Sequence, residues 1–215
     1  MEPHYDSPVG LREQKKHQTR TALADAALAL FTAHGFEQVT VAEVAAAAGV
    51  SVNTAFNYFP TKEDLFFDRQ SEVEGRLAAW VRTRPRGTSP VAAIRDGLLS
   101  ALADGDPTLG LSAQADGFWQ IVDESPSLRA RAREIAERSE AALGAALGEE
   151  AAPGDPLPHL LAGALAGTFR AVVAEIRRKL AAGEEIAAVR AEVAVAAGVM
   201  FGALDSARPA DRHKA

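Results

Sequence analysis

Two asparagines, Asn53 and Asn57, stand four residues apart in the segment "VNTAFNYF". At about 100° per residue, a helix through this segment would put them nearly opposite Ala55 and Phe59. Asparagine is a poor helix-interior residue, because its side chain competes with the backbone for hydrogen bonds. Two of them on one outer face need a chemical reason. A carboxamide holds a donor and an acceptor side by side, the pattern that matches N6 and N7 of adenine in a DNA major groove. No catalytic set has comparable spacing. "GLSAQ" lacks the second glycine of a nucleophile elbow, no H-E-x-x-H occurs, no glycine-rich phosphate loop ends in Gly-Lys-Ser/Thr, and the five histidines have no metal-ligand spacing. Paired acids such as Asp123 and Glu124 sit at helix ends, where solvent and the helix dipole explain them. The absence of cysteine removes disulfides, thiolate catalysis and Cys-based zinc sites together. The reading is of a protein that is not an enzyme, with no cofactor and no metal.

The elements that would carry such a face are helical. Of 215 residues, 47% are hydrophobic, and Ala-rich runs such as "AEVAAAAG" and "AALGAALGEEAA" favour helix over strand. The net charge is −6, so the surface as a whole is not basic, but a local patch is still open. Residues 11–62 carry five positive and four negative side chains, leaving the acidic excess elsewhere. The N-terminus lacks the apolar stretch of a signal peptide, and no uninterrupted apolar run is long enough to span a bilayer. A cytoplasmic location with no membrane partner is expected. The excess of Arg over Lys, with the alanine richness, suggests a GC-rich bacterial genome.

Punctuation along the chain predicts about nine helices. Residues 1–10, broken by Pro3, Pro8 and Gly10, read as a disordered arm. Leu23, Ala26, Ala27, Leu30 and Phe31 mark a first helix from about 12 to 34, stopped at Gly35. Thr40 with Glu43 forms a capping box for a second helix, which can last only about two turns before Gly49 and Ser51 signal a stop and a restart. The third helix, 52–59, ends at Pro60, and Thr61 caps a long fourth through Thr83. Ser89-Pro90, Ser125-Pro126 and Asp155-Pro156 start helices near 90–104, 126–148 and 156–181; a shorter one lies around "LSAQADGFWQIVDE", and a final one spans 184–205. Helices of two turns are marginal alone, so the second and third need the first as a packing partner. Three helices whose last pair is joined by a tight glycine turn make a helix-turn-helix unit.

Here the chain resembles the TetR family of transcriptional regulators. The resemblance rests on "GVSVNTAFNYFPTKEDLF", the upstream "TVAEVAAAAG" and "LFTAHGF", and covers about residues 15–67. It implies an all-α fold: an N-terminal three-helix helix-turn-helix DNA-binding domain (11–60), a C-terminal helical effector-binding and dimerisation domain (61–205) and a flexible tail (206–215). By that resemblance Thr40, Ser51, Thr54, Tyr58 and Lys62 hold phosphates of double-stranded DNA, while Val52, Asn53 and Asn57 approach bases. Phe56 departs from the family, which commonly has a phosphate-binding Tyr there. Lys15, Lys16 and Arg20 admit two readings, a further DNA contact or a solvated helix face.

The remainder resembles the family only in length and helicity. Candidate walls of an effector pocket are Trp80, Leu98, Leu102, Phe118, Trp119, Ile121 and Phe169, with Gln114, Gln120, His159 and Arg170 as polar anchors. The last two long helices carry small-residue pairs, Gly163 with Gly167 and Gly198 with Gly202, among apolar residues including Leu161, Val172, Val193 and Phe201. Close packing within the chain and a four-helix homodimer interface both account for them; the resemblance favours the homodimer. The expected function is a palindrome-binding repressor released by an unknown small-molecule effector. A helical interaction module with a degenerate helix-turn-helix, and a repressor without an effector, are the alternatives.

Overall fold

The computed structural model describes residues 8–112 and 115–207. Most of the expected arm, Gln114 and most of the expected tail lie outside them. Among the described residues ten α-helices and one 3-10 turn make an all-α fold.

The helices are α1 (Pro8–His34), α2 (Val41–Ala47), α3 (Val52–Tyr58), α4 (Lys62–Phe66), α5 (Gln70–Thr83), α6 (Pro90–Asp104), α7 (Ala115–Glu124), α8 (Pro126–Gly148), α9 (Leu157–Ala181) and α10 (Ile186–Ser206). The first begins four residues before the sequence suggested. Pro8 suits a first helical turn, because the N–H it lacks would have no intrahelical acceptor there; the proline read as a breaker is a helix start.

The expected single fourth helix is two. The backbone leaves helical geometry at Phe67 (φ −97°, ψ 54°) and resumes at Gln70. The break coincides with a ring cluster: Phe31, Phe36 and Phe66 lie with centroids 5.0–6.0 Å apart, and Phe67 meets Phe66 edge-on at 5.1 Å. The Asp68 carbonyl accepts a 2.6 Å hydrogen bond from Arg20 Nη2, so the interruption leaves no orphaned acceptor there.

The chain divides into two compact units. The first comprises the chain up to Asp68 together with Gln120–Arg129. In it α1 packs on α2 and α4, and α2 on α3, around buried Leu23, Ala27, Phe31, Val44, Ala55, Phe59, Leu65 and Phe66. The second comprises Arg69–Trp119 and the chain from Ala130. There α6 packs against α5 and α10, and α9 against α10, over a core built from Leu77, Ile94, Leu98, Leu102, Leu143, Leu165, Ile176, Val193 and Phe201.

Candidate nucleic-acid interface

Local chemistry fixes the ends of α2 and α3. Thr40 caps α2 by accepting from Glu43 N at 3.3 Å, and Glu43 Oε2 accepts in return from Thr40 N (2.7 Å) and Thr40 Oγ1 (2.8 Å). Those two hydrogen bonds hold the Glu43 carboxyl below the usual carboxylate range. At Gly49 the chain enters the left-handed region (φ +69°), which glycine adopts without a Cβ clash. Ser51 then caps α3, accepting from Thr54 N at 3.1 Å, with the two hydroxyls 2.8 Å apart. Turn and cap together set the face that α3 presents.

That face is split by burial. Ala55 and Phe59 are buried in the core of the unit, whereas Val52, Asn53, Phe56 and Asn57 are exposed. Neither asparagine side chain has a hydrogen-bond partner among the described residues, so both amides are available to an outside ligand. Thr40 and Ser51 are exposed, Thr54 and Tyr58 half-buried, and Lys15 and Lys16 are exposed on the early turns of α1.

Two cations read as DNA contacts have other partners. Lys62 Nζ donates to the carbonyls of Phe36 (2.7 Å) and Val39 (3.1 Å) and lies 4.2 Å from the Phe36 ring centroid. With two of three ammonium protons so engaged, it ties down the loop between α1 and α2. Arg20 donates to the Asp68 carbonyl and, at 3.4 Å, to that of Tyr58, with its guanidinium 4.4 Å over the Phe59 ring. Arg20 satisfies acceptors at the end of α3 and just past α4, and Lys62 satisfies acceptors of the α1–α2 loop. Spacing alone could not show this, because the carbonyls lie 23 to 48 residues away in sequence.

A further link has no signal in the sequence pattern. Ser125, read only as a helix start, is 1% exposed, and its hydroxyl donates to Glu37 Oε1 at 2.6 Å. Ile121, expected in an effector pocket, belongs with Ser125 to the first unit and is buried there.

In the second unit a cleft of about 670 Å³ runs between α5 and α6, lined by Glu72, Gly75, Arg76, Ala79, Trp80, Gly97, Ser100, Asp104 and Asp106 among others. Of the expected pocket residues that are described, only Trp80 lines it. Leu98 and Leu102 are core, and Phe169 backs Trp80 edge-on at 6.1 Å. Phe118 and Trp119 form their own edge-on pair, with the Arg177 guanidinium 5.0 Å over Trp119. Arg170 pairs with Glu140 at 3.0 Å. His159 and Gln120 are exposed, and Gln120 donates to Glu124. A Cβ on Gly97 would lie 2.6 Å from Trp80 Cε2, so only glycine lets the indole lie against α6. A helix-interior glycine, which costs about 1 kcal/mol relative to alanine, was the available signal. Arg76, 7% exposed, bridges Glu72 (3.0 Å) and Asp106 (3.2 Å) at the cleft wall. Burial pushes the Asp106 carboxyl up, but hydrogen bonds from Thr108 and the charge of Arg76 outweigh it and hold the group below its ordinary value.

The expected interface residues also separate. Val172, Val193 and Phe201 are buried in the chain's own core; they face inward because α9 and α10 pack on each other and α10 on α6. The large apolar residues these helices expose are others: Leu157 (45%), Leu160 (69%), Val195 (70%), Val199 (66%) and Met200 (51%). Around Gly198 and Gly202 the space is open; Gly163 faces Glu140 and Gly167 faces Arg170. Leu161 is half-buried against the core.

Residues 23–68 match the family model for bacterial regulatory proteins of the tetR family. The transcriptional regulator TcmR of Streptomyces glaucescens is 31% identical over 137 residues, 62% of this chain and 61% of TcmR. The chain thus spans less than two thirds of the length of the curated relatives it matches. Among solved structures, SmeT in complex with triclosan aligns over 86% of this chain and 90% of its own (TM-score 0.57, 16% identity); SmeT is the repressor of a Stenotrophomonas maltophilia multidrug efflux pump. NalD, the secondary repressor of a Pseudomonas aeruginosa efflux pump, aligns over 91% and 99% (TM-score 0.55, 18% identity). At such identities these two speak for the fold.

Proposed function

We propose that the chain, whose residues 23–68 match the family model for bacterial regulatory proteins of the tetR family, is a homodimeric repressor that binds a palindromic operator and is released by a small molecule. The observation that carries this is the outer face of α3, where Asn53 and Asn57 are exposed, helix-borne and unpartnered beside a core held by Ala55 and Phe59. Such a face suits a major groove, in which amides discriminate adenine.

The homodimer is supported by α9 and α10. By length and composition both are apolar enough to cross a membrane (mean hydropathy 1.4 and 1.7 over 18 residues), yet only 28% and 22% of those windows is buried. Their exposed apolar face needs cover. A second copy supplies it with the two-fold symmetry that a palindrome requires. The cleft beside Trp80 is the place we assign to an effector. A coupling of about 1–3 kcal/mol between that cleft and α3 would weaken operator binding by about 5- to 150-fold.

Selection of bound duplexes from a random library at two salt concentrations tests the reading. Enrichment of a palindrome that weakens steeply with salt is expected, since phosphate contacts release counterions. No enrichment at low salt would refute DNA binding and leave a protein-binding surface.

A further inference from the structure

The outer face of α3 is not only polar. Val52 and Phe56, one turn apart, are 40% and 45% exposed and flank the two asparagines. Residues at i and i+4 lie on one side of a helix, so these side chains form an apolar strip that stays partly exposed beside the unit's core. Phenylalanine also lacks the hydroxyl with which a tyrosine would donate to a phosphate.

The helix "VNTAFNY" carries no charged residue. The commonest base-specific contact, arginine or lysine to guanine O6 and N7, is therefore closed to it. What remains are carboxamides, hydroxyls and apolar surface. In the major groove the amides match adenine, and the apolar feature offered by an unmodified base is the 5-methyl group of thymine. Adenine and thymine are partners, so both kinds of contact converge on A·T pairs.

We propose that Val52 and Phe56 read thymine 5-methyl groups, and that α3 thereby recognises an A·T-containing half-site in which Asn53 and Asn57 take adenine edges. This rests on the DNA-binding reading above and adds the chemistry of the bases selected. Burying one methyl against this strip is expected to change affinity about 4-fold.

The test uses the full-length protein and the duplex obtained by selection, prepared with thymine and again with uracil, which differs only by the methyl. Wild-type protein should bind the uracil duplex about 4-fold more weakly for each methyl contacted. Phe56→Ala should bind the thymine duplex more weakly and show a reduced preference between the two, whereas Phe56→Tyr, which keeps the ring, should retain the preference. Because uracil also alters duplex flexibility, the decisive quantity is the non-additivity of the Phe56→Ala and uracil changes. Additive effects, equal binding of both duplexes by wild-type protein, or a selected half-site without A·T pairs would each overturn the inference while DNA binding stood. Failure to select any duplex would overturn both. Phe56 is exposed, so circular dichroism should show its variants folded.

Discussion

The two units solve opposite problems. In the first, two-turn helices begun by local polar caps pack on α1 and on one another and leave a polar face outside; in the second, long helices are held by apolar burial and leave a cleft and an apolar surface. A site is readable from sequence where its geometry is set by neighbours along the chain. Thr40 with Glu43 and Ser51 with Thr54 act over three residues, and they fix where α2 and α3 begin. Trp80 and Gly97 meet across two helices, and no pattern in either helix announces the other.

Removing one large buried side chain from each unit would sharpen the contrast most. Phe31→Ala and Leu98→Ala should cost about 3–5 and 2–5 kcal/mol respectively, measured by denaturant unfolding. Phe31→Ala should abolish operator retention yet leave a dimer in light scattering, and Leu98→Ala should lower the dimer fraction first. The same order of loss in both variants would mean that the units do not act separately.

Next in size is Lys62→Ala, expected to destabilise the first unit by about 1.5–3 kcal/mol, the range for hydrogen bonds to a charged group. Its DNA affinity should recover in proportion when stability is restored by cooling or osmolyte. A uniform affinity loss with no change in unfolding would return Lys62 to the phosphate backbone. Asn57→Ala should leave stability within about 0.5 kcal/mol and relax base preference by about 1–3 kcal/mol at one position. If it and Lys62→Ala behaved alike, the division between holding and reading residues would fail.

The smallest effect concerns the cap. Thr40→Ala should cost about 1 kcal/mol. Because Glu43 titrates lower in the folded state than when free, its contribution is present above the ordinary carboxylate pKa and is lost as pH falls through the lowered folded value. The Thr40→Ala difference should therefore shrink under acid below the usual carboxylate range. A difference independent of pH would detach the carboxylate from the cap.

Much of the fold was legible. Caps, glycines and prolines marked the helices, and the Asn53–Asn57 face came from periodicity alone. What escaped was the break at Phe67 and the duties of Arg20, Lys62 and Ser125, each defined by a carbonyl or carboxylate distant in sequence. The apolar stripes of α9 and α10 were also visible, but which flank faced inward was not: Val193 and Phe201 lie inside while Val195 and Val199 lie outside. With apolar residues on both flanks, the hydrophobic pattern could not choose between them.

The first unit is not a continuous stretch of chain. Because Gln120–Arg129 belongs to it, a fragment ending at Asp68 would lack Ile121, Ser125 and Leu128, all buried in the intact protein, and would leave Glu37 without the Ser125 hydroxyl. Transplanting this unit onto another helical domain by a single cut and splice would carry over the helix-turn-helix and leave part of its foundation behind.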